Sequence, residues 1–156
     1  MKFRMMLSAL LLAAGIVCVS GCKGGKKTAA KAGEPTTPTE VAGAFFTAVV
    51  EGREADAAKL CTGKNVEKDV KEAVSAIADL QKKAKDDPKG KAAIEFNALK
   101  NAKFADEEIK GGKATVNMVL TIEIDGEKHV NKVSIILKQV EGKWKLDADA
   151  MDAKKK

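Results

Sequence analysis

The apolar positions along this chain change their spacing several times. Residues 5–19 (MMLSALLLAAGIVCV) are an almost unbroken apolar run, and residues 23–36 hold no large apolar side chain. From Val41 the spacing becomes helical: Val41, Phe45, Ala48 and Val49 recur on one stripe, with Phe46 beside them. Thr37-Pro38-Thr39-Glu40 predicts the start of that helix. Thr37 can accept from the backbone, Pro38 suits the first turn, and Glu40 completes a capping box. Gly52 ends it. Glu54–Cys61 then reads as a short second helix, closed before Gly63. Val66, Val70, Ala73, Val74, Ile77 and Leu80 mark a longer third helix that Asn65 can cap, with Lys, Glu and Asp on its other side. Pro88 and Gly90 forbid its continuation.

After Gly111-Gly112 the period becomes two. Ala114, Val116, Met118, Leu120, Ile122 and Ile124 alternate with polar residues. Asp125-Gly126 is a hairpin signal that sets Ile124 opposite Glu127, Met118 opposite Val133, Val116 opposite Ile135 and Ala114 opposite Leu137. A second turn at Glu141-Gly142 sets Leu137 opposite Leu146 and Gln139 opposite Trp144. Both turns keep the apolar sets on one face, and a slip of one residue would expose them. The stretch 94–110 is ambiguous. Ile109 fits opposite Ala114, but Phe104 then falls on the wrong face. A bulge near Glu107-Glu108, or a helical start at 91–99, would resolve the conflict. The expected fold is α+β: N-terminal helices packed on a curved antiparallel sheet, a cone-like two-layer domain over residues 37–150.

The N-terminus reads as an address. Lys2 and Arg4 precede the apolar run, and the small residues Ser20 and Gly21 lead to Cys22. That order predicts a secretory signal peptide over residues 1–21, too short for a membrane-spanning helix. The run Val19-Ser20-Gly21-Cys22 resembles the lipobox of bacterial lipoproteins. The resemblance implies that the Cys22 thiol receives a diacylglyceryl group, that the signal is cut before it, and that the new N-terminus is acylated. Residues 22–36 would then be the lipidated Cys and a flexible linker spanning roughly 20 Å. Each buried methylene adds about 0.8 kcal/mol, so two or three acyl chains hold a protein firmly to its membrane. In that family an Asp after the Cys favours the inner membrane. Lys23 therefore implies a cell-envelope lipoprotein of the outer membrane, facing the periplasm, in a cell with two membranes.

Charge and cysteine usage narrow the chemistry. The formal charge is +6, yet residues 36–150 hold 19 basic and 20 acidic residues, so the surplus belongs to the flanks. A near-neutral domain with five Phe and one Trp predicts no nucleic-acid partner. Lys154, Lys155 and Lys156 close a basic tail, residues 151–156, able to touch anionic polymer or phospholipid, as are the linker lysines. Cys18 leaves with the signal and Cys22 carries lipid, so only Cys61 remains as a thiol. Its apolar, helical neighbourhood predicts a small buried residue, since a nucleophile would want a partner His and a cationic setting. The single His, without a cluster at ligand spacing, predicts no metal. The glycine pairs precede no strand-to-helix phosphate turn, and no cofactor is expected. The acidic run Asp106-Glu107-Glu108 reads as a solvated turn.

Two segments carry a second resemblance: TPTEVAGAFFTAVVEGREADAAKL at residues 37–60 and VEGKWKLDA at the end of the meander. Helices followed by a meander with this last strand look like the nuclear transport factor 2-like (NTF2-like) cone. More narrowly, they look like the small lipoprotein domains grouped with it, once called lumazine-binding-like. The resemblance covers about residues 36–150. It implies a superfamily of isomerases, dehydratases, ligand carriers and dimerising scaffolds, so fold alone does not give function. Its isomerases pair an Asp base with a Tyr donor, and this chain has no Tyr. The reading is therefore a membrane-anchored, non-catalytic ligand-binding or protein-interaction module rather than an enzyme. Its partners would be the membrane, through Cys22, and a small apolar ligand or an envelope protein. Candidate pocket residues are Phe45, Met118, His129 and Trp144. The hairpin register puts His129 on the inward face opposite Ile122. A small cone-fold enzyme using His129 as acid or base is the alternative. Related cones pair through the open sheet face, which implies a homodimer here. On that face Val119, Val130 and Ile136 are interspersed with Thr121, Lys132, Ser134 and Lys138.

Overall fold

Strong local signals sit at both ends of the domain, and the architecture follows from them. The computed structural model describes residues 35–124 and 126–153. The segments expected to be the signal peptide, the lipidated Cys22 and most of the linker, together with Lys154–Lys156, lie outside the described residues. The chain runs α1 (Pro38–Val50), α2 (Glu54–Lys59), β1 (Cys61–Thr62), α3 (Val66–Asp86), α4 (Lys91–Lys100), β2 (Lys103–Lys110), β3 (Lys113–Ile124), β4 (Glu127–Val140), β5 (Lys143–Asp147) and α5 (Ala148–Ala153).

The expected capping box opens α1. The Thr37 side chain accepts from the Glu40 backbone N–H at 3.2 Å, and the Glu40 carboxylate accepts from the Thr37 N–H at 3.1 Å and the Thr36 N–H at 2.9 Å. These donors hold the Glu40 carboxyl below its ordinary value. Helix α1 lies on the sheet against β2, β3 and β5, and α4 lies against β3. The long α3 buries Val70, Ala73, Val74, Ile77 and Leu80 chiefly against the other helices.

The sheet has five strands in the order β1-β5-β4-β3-β2. The meander has the expected register throughout: Ile124 faces Glu127, Met118 faces Val133, and Leu137 faces both Ala114 and Leu146. Alternation therefore buries Ala114, Val116, Met118, Leu120 and Ile122 of β3, and Ile135 and Leu137 of β4, beneath the helices. Leu137 and Leu146 are fully buried. Truncating either to Ala removes about 2–5 kcal/mol of stability.

The ambiguity over residues 94–110 has a double answer. A helix occupies Lys91–Lys100, and a bulge interrupts β2. Phe104 faces Met118 and Ala105 faces Asn117, but Glu108 faces Thr115 and Ile109 faces Ala114. Asp106 and Glu107 together oppose one residue of β3, so Phe104 and Ile109 both return to the helix side. Asp106 takes the left-handed conformation that the extra residue needs, at φ 54°.

One expectation is corrected in this region. The helix expected over Glu54–Cys61 stops at Lys59, and Cys61-Thr62 forms a short strand parallel to β5, with Cys61 beside Leu146. The Leu146 N–H donates to the Leu60 carbonyl at 2.8 Å. The open edge of β5 supplies partners that continued helix would not. The sheet is thus antiparallel except at this edge. Asp147 closes β5 and its carboxylate accepts from the Ala150 N–H at 3.3 Å, capping α5.

Candidate functional site

The candidate pocket residues separate into two groups. Phe45 of α1 and Met118 of β3 are buried in one apolar cluster with Leu120, Ile135, Leu137 and Leu146, and Trp144 of β5 packs against its edge. These side chains occupy the space between helices and sheet. His129 stands apart. It faces Ile122, as the hairpin register requires, but it is exposed rather than turned into the interior. The β3–β4 hairpin outruns the helices, leaving Ile124 on the helix side 40% exposed. At about 3.4 Å per residue, His129 sits about 14 Å along the ladder from the level of Met118.

Cys61 is the free thiol of the described residues and is buried. Burial pushes its pKa up to about 12, and nearby Asp69 adds to the rise. A thiol so far from ionisation is a packing group rather than a nucleophile.

The acidic run in β2 is not a solvated turn. The bulge sends its three carboxylates to three partners. Lys132 donates to Asp106 at 3.0 Å and holds that carboxyl below the usual range. Glu107 reaches the start of α1, where it accepts from the Thr39 backbone N–H at 3.0 Å and the Thr39 hydroxyl at 2.6 Å. Its negative charge there offsets the positive end of the helix dipole. Glu108 pairs with Lys110 on the same strand. Sequence reasoning missed the Glu107 cap because its donor lies 68 residues away.

The other face of the sheet carries none of α1, α3 and α4, and the short α5 touches β4. Its residues follow from the ladder: Lys103, Ala105, Glu108 and Lys110 on β2, odd positions on β3, even positions on β4, and Lys143, Lys145 and Asp147 on β5. Ser134 donates to Asn117 at 3.0 Å near its middle, and Val119 and Ile136 are half-buried among polar neighbours. Lys138 pairs with Asp147 at 3.2 Å at the β5 end. The mixed surface expected there is present.

Among the described residues, no group of three or more His, Cys, Asp or Glu is placed to hold a metal ion. No helix among them is long and apolar enough to cross a membrane. No family model matches the chain, and no curated protein matches it. Among solved structures, that of a candidate NTF2-like transpeptidase from Campylobacter jejuni is similar. The TM-score is 0.46 at 14% identity, covering 72% of this chain and 98% of that one.

Proposed function

We propose that this chain is a lipid-anchored protein of the cell envelope whose α+β domain, of NTF2-like type, is a non-catalytic interaction module. The observation that carries the reading is the two-sided character of the sheet. One face is closed by Phe45, Met118, Leu137 and their buried neighbours, and the other is a four-strand surface free of the long helices. A ladder without a long helix on it is a natural platform for a partner. Cys61 and His129, the two side chains best suited to nucleophilic or acid-base work, are respectively buried as a neutral thiol and exposed at a hairpin tip. The apolar N-terminal run ending in Val19-Ser20-Gly21-Cys22 supports anchoring through lipid on Cys22, and Lys23 supports the outer membrane.

Two measurements test this. The mass of the protein extracted from membranes should exceed that of residues 22–156 by a diacylglyceryl group and an acyl chain, and Cys22→Ser should abolish the addition. Photo-crosslinkers placed at Thr121 and Ile136 on the uncovered face should capture envelope material, whereas one at Ser75 on exposed α3 should not. Capture at Ser75 equal to that at Thr121 and Ile136 would refute the platform.

A further inference from the structure

The uncovered face has a feature that neither its composition nor its strands taken singly reveal. Lys110 faces Lys113, Lys113 faces Lys138, and Lys138 faces Lys145. One lysine from each of β2, β3, β4 and β5 thus stands in a single row across the sheet. With neighbouring strands about 4.8 Å apart, the row is about 14 Å long. Directly opposed like charges destabilise a ladder, so the arrangement works against the isolated fold. It is only partly relieved. Lys110 pairs with Glu108 and Lys138 with Asp147, while Lys113 and Lys145 have no ion-pair partner among the described residues.

The row belongs to a larger segregation of charge. Between residues 101 and 150 there are eight lysines, and the register puts all eight on this face. Four carboxylates share it, Asp106, Glu108, Glu123 and Asp147, leaving a net of +4. The 36–150 segment as a whole is near −1, so the remainder carries the excess of acid. Val130, 57% exposed, and the half-buried Val119, Ile136 and Val140 lie between the lysines. Basic side chains with apolar ones between them suit a surface that is anionic outside and apolar beneath.

We propose that this sheet face docks on an anionic phospholipid bilayer, with the Lys110–Lys113–Lys138–Lys145 row against the head groups. The nearness of the bilayer rests on the anchored reading above. A linker spanning roughly 20 Å makes docking intramolecular, with an effective concentration of millimolar order. Each lysine brought to an anionic surface strengthens binding about fivefold. Lys23, Lys26, Lys27 and Lys31 before the domain, and Lys154–Lys156 after it, add to the same attraction.

The test uses residues 22–156 carrying Cys22→Ser, which retain every described residue and no lipid. Their flotation is followed with vesicles of phosphatidylcholine, with and without phosphatidylglycerol, at low and high salt. Binding is expected only with phosphatidylglycerol and only at low salt. Lys113→Gln with Lys145→Gln should weaken it on the order of 25-fold. The melting temperature should not fall, because opposed charges are relieved. Lys68→Gln with Lys71→Gln, on α3, should leave binding unchanged.

The proposal is overturned if the Lys113/Lys145 variant binds like the parent, or if removing Lys154–Lys156 alone abolishes binding. It is overturned equally by retention of polyglutamate without vesicle binding, or by a solution dimer that buries the face. The anchored reading stands or falls separately, on the mass of Cys22.

Discussion

Deleting Asp106 is the sharpest test of the bulge, because one extra residue makes it. Asp106 and Glu107 together oppose Val116, so without Asp106 the pairs Ala105–Asn117, Glu107–Val116, Glu108–Thr115 and Ile109–Ala114 run as one unbroken ladder. Phe104 and Ile109 then both stay on the helix side. Phe104 is half-buried, with its ring 5.5 Å from that of Phe46. A fully buried Phe→Ala change removes about 3–5 kcal/mol, so at this exposure Phe104 contributes about 2 kcal/mol. Glu107, alone opposite Val116, keeps the helix-side position from which it reaches Thr39. The deletion removes the solvent-exposed Asp106–Lys132 pair, a weak contribution, and relieves the positive φ of Asp106. It should therefore change stability by less than about 1 kcal/mol, and Phe104→Ala should cost about 2 kcal/mol in both the parent and the deletion. Urea unfolding followed by the fluorescence of Trp144, the single Trp, measures all four proteins. A Phe104→Ala effect that vanishes in the deletion background would refute this accounting, since Phe104 would then already have left the core.

Four further outcomes are expected. Gly43→Ala should raise the melting temperature by about 4 °C, since the new Cβ would meet Phe104 at an ordinary 3.7 Å and helix propensity favours Ala by about 1 kcal/mol. Glu141→Asn should stabilise by several tenths of a kcal/mol in the same urea titration. Glu141 and Gly142 both have positive φ, at 51° and 79°, and such two-residue hairpin turns favour Asn-Gly. Cys61, with its pKa pushed up to about 12, should resist iodoacetamide in the folded protein at mildly alkaline pH and react only on unfolding, as read by mass spectrometry. Glu40, whose carboxyl is held below its ordinary value by the Thr36 and Thr37 backbone donors, stabilises the fold above the ordinary carboxylate range. That contribution is lost as pH falls through the lowered value, so thermal melts of Glu40→Gln should show a smaller acid-induced loss than the parent.

What the sequence by itself determined is the set of elements whose causes are local. Thr37-Pro38-Thr39-Glu40 contains every group of its own capping box, and the stripe from Val66 to Leu80 needs no distant partner to be recognised. The meander register was equally legible. A period of two combined with turns at Gly126 and Gly142 leaves one alignment that hides Val116, Met118, Leu137 and Leu146 together. Only the tertiary structure decided the rest, because the causes are contacts between residues far apart in the chain. Cys61-Thr62 is too short to announce a strand and becomes one only beside the open edge of β5. The β2 bulge joins three distant demands: Phe104 on Phe46, Glu107 on Thr39 and Asp106 on Lys132. His129 had the right partner and the wrong surroundings, because register sets the face of a strand whereas the reach of the helices sets how much of that face is covered. The lysine row is of the same kind. Its members are ordinary alternating lysines on four separate strands, and the row exists only because the ladders bring those strands side by side.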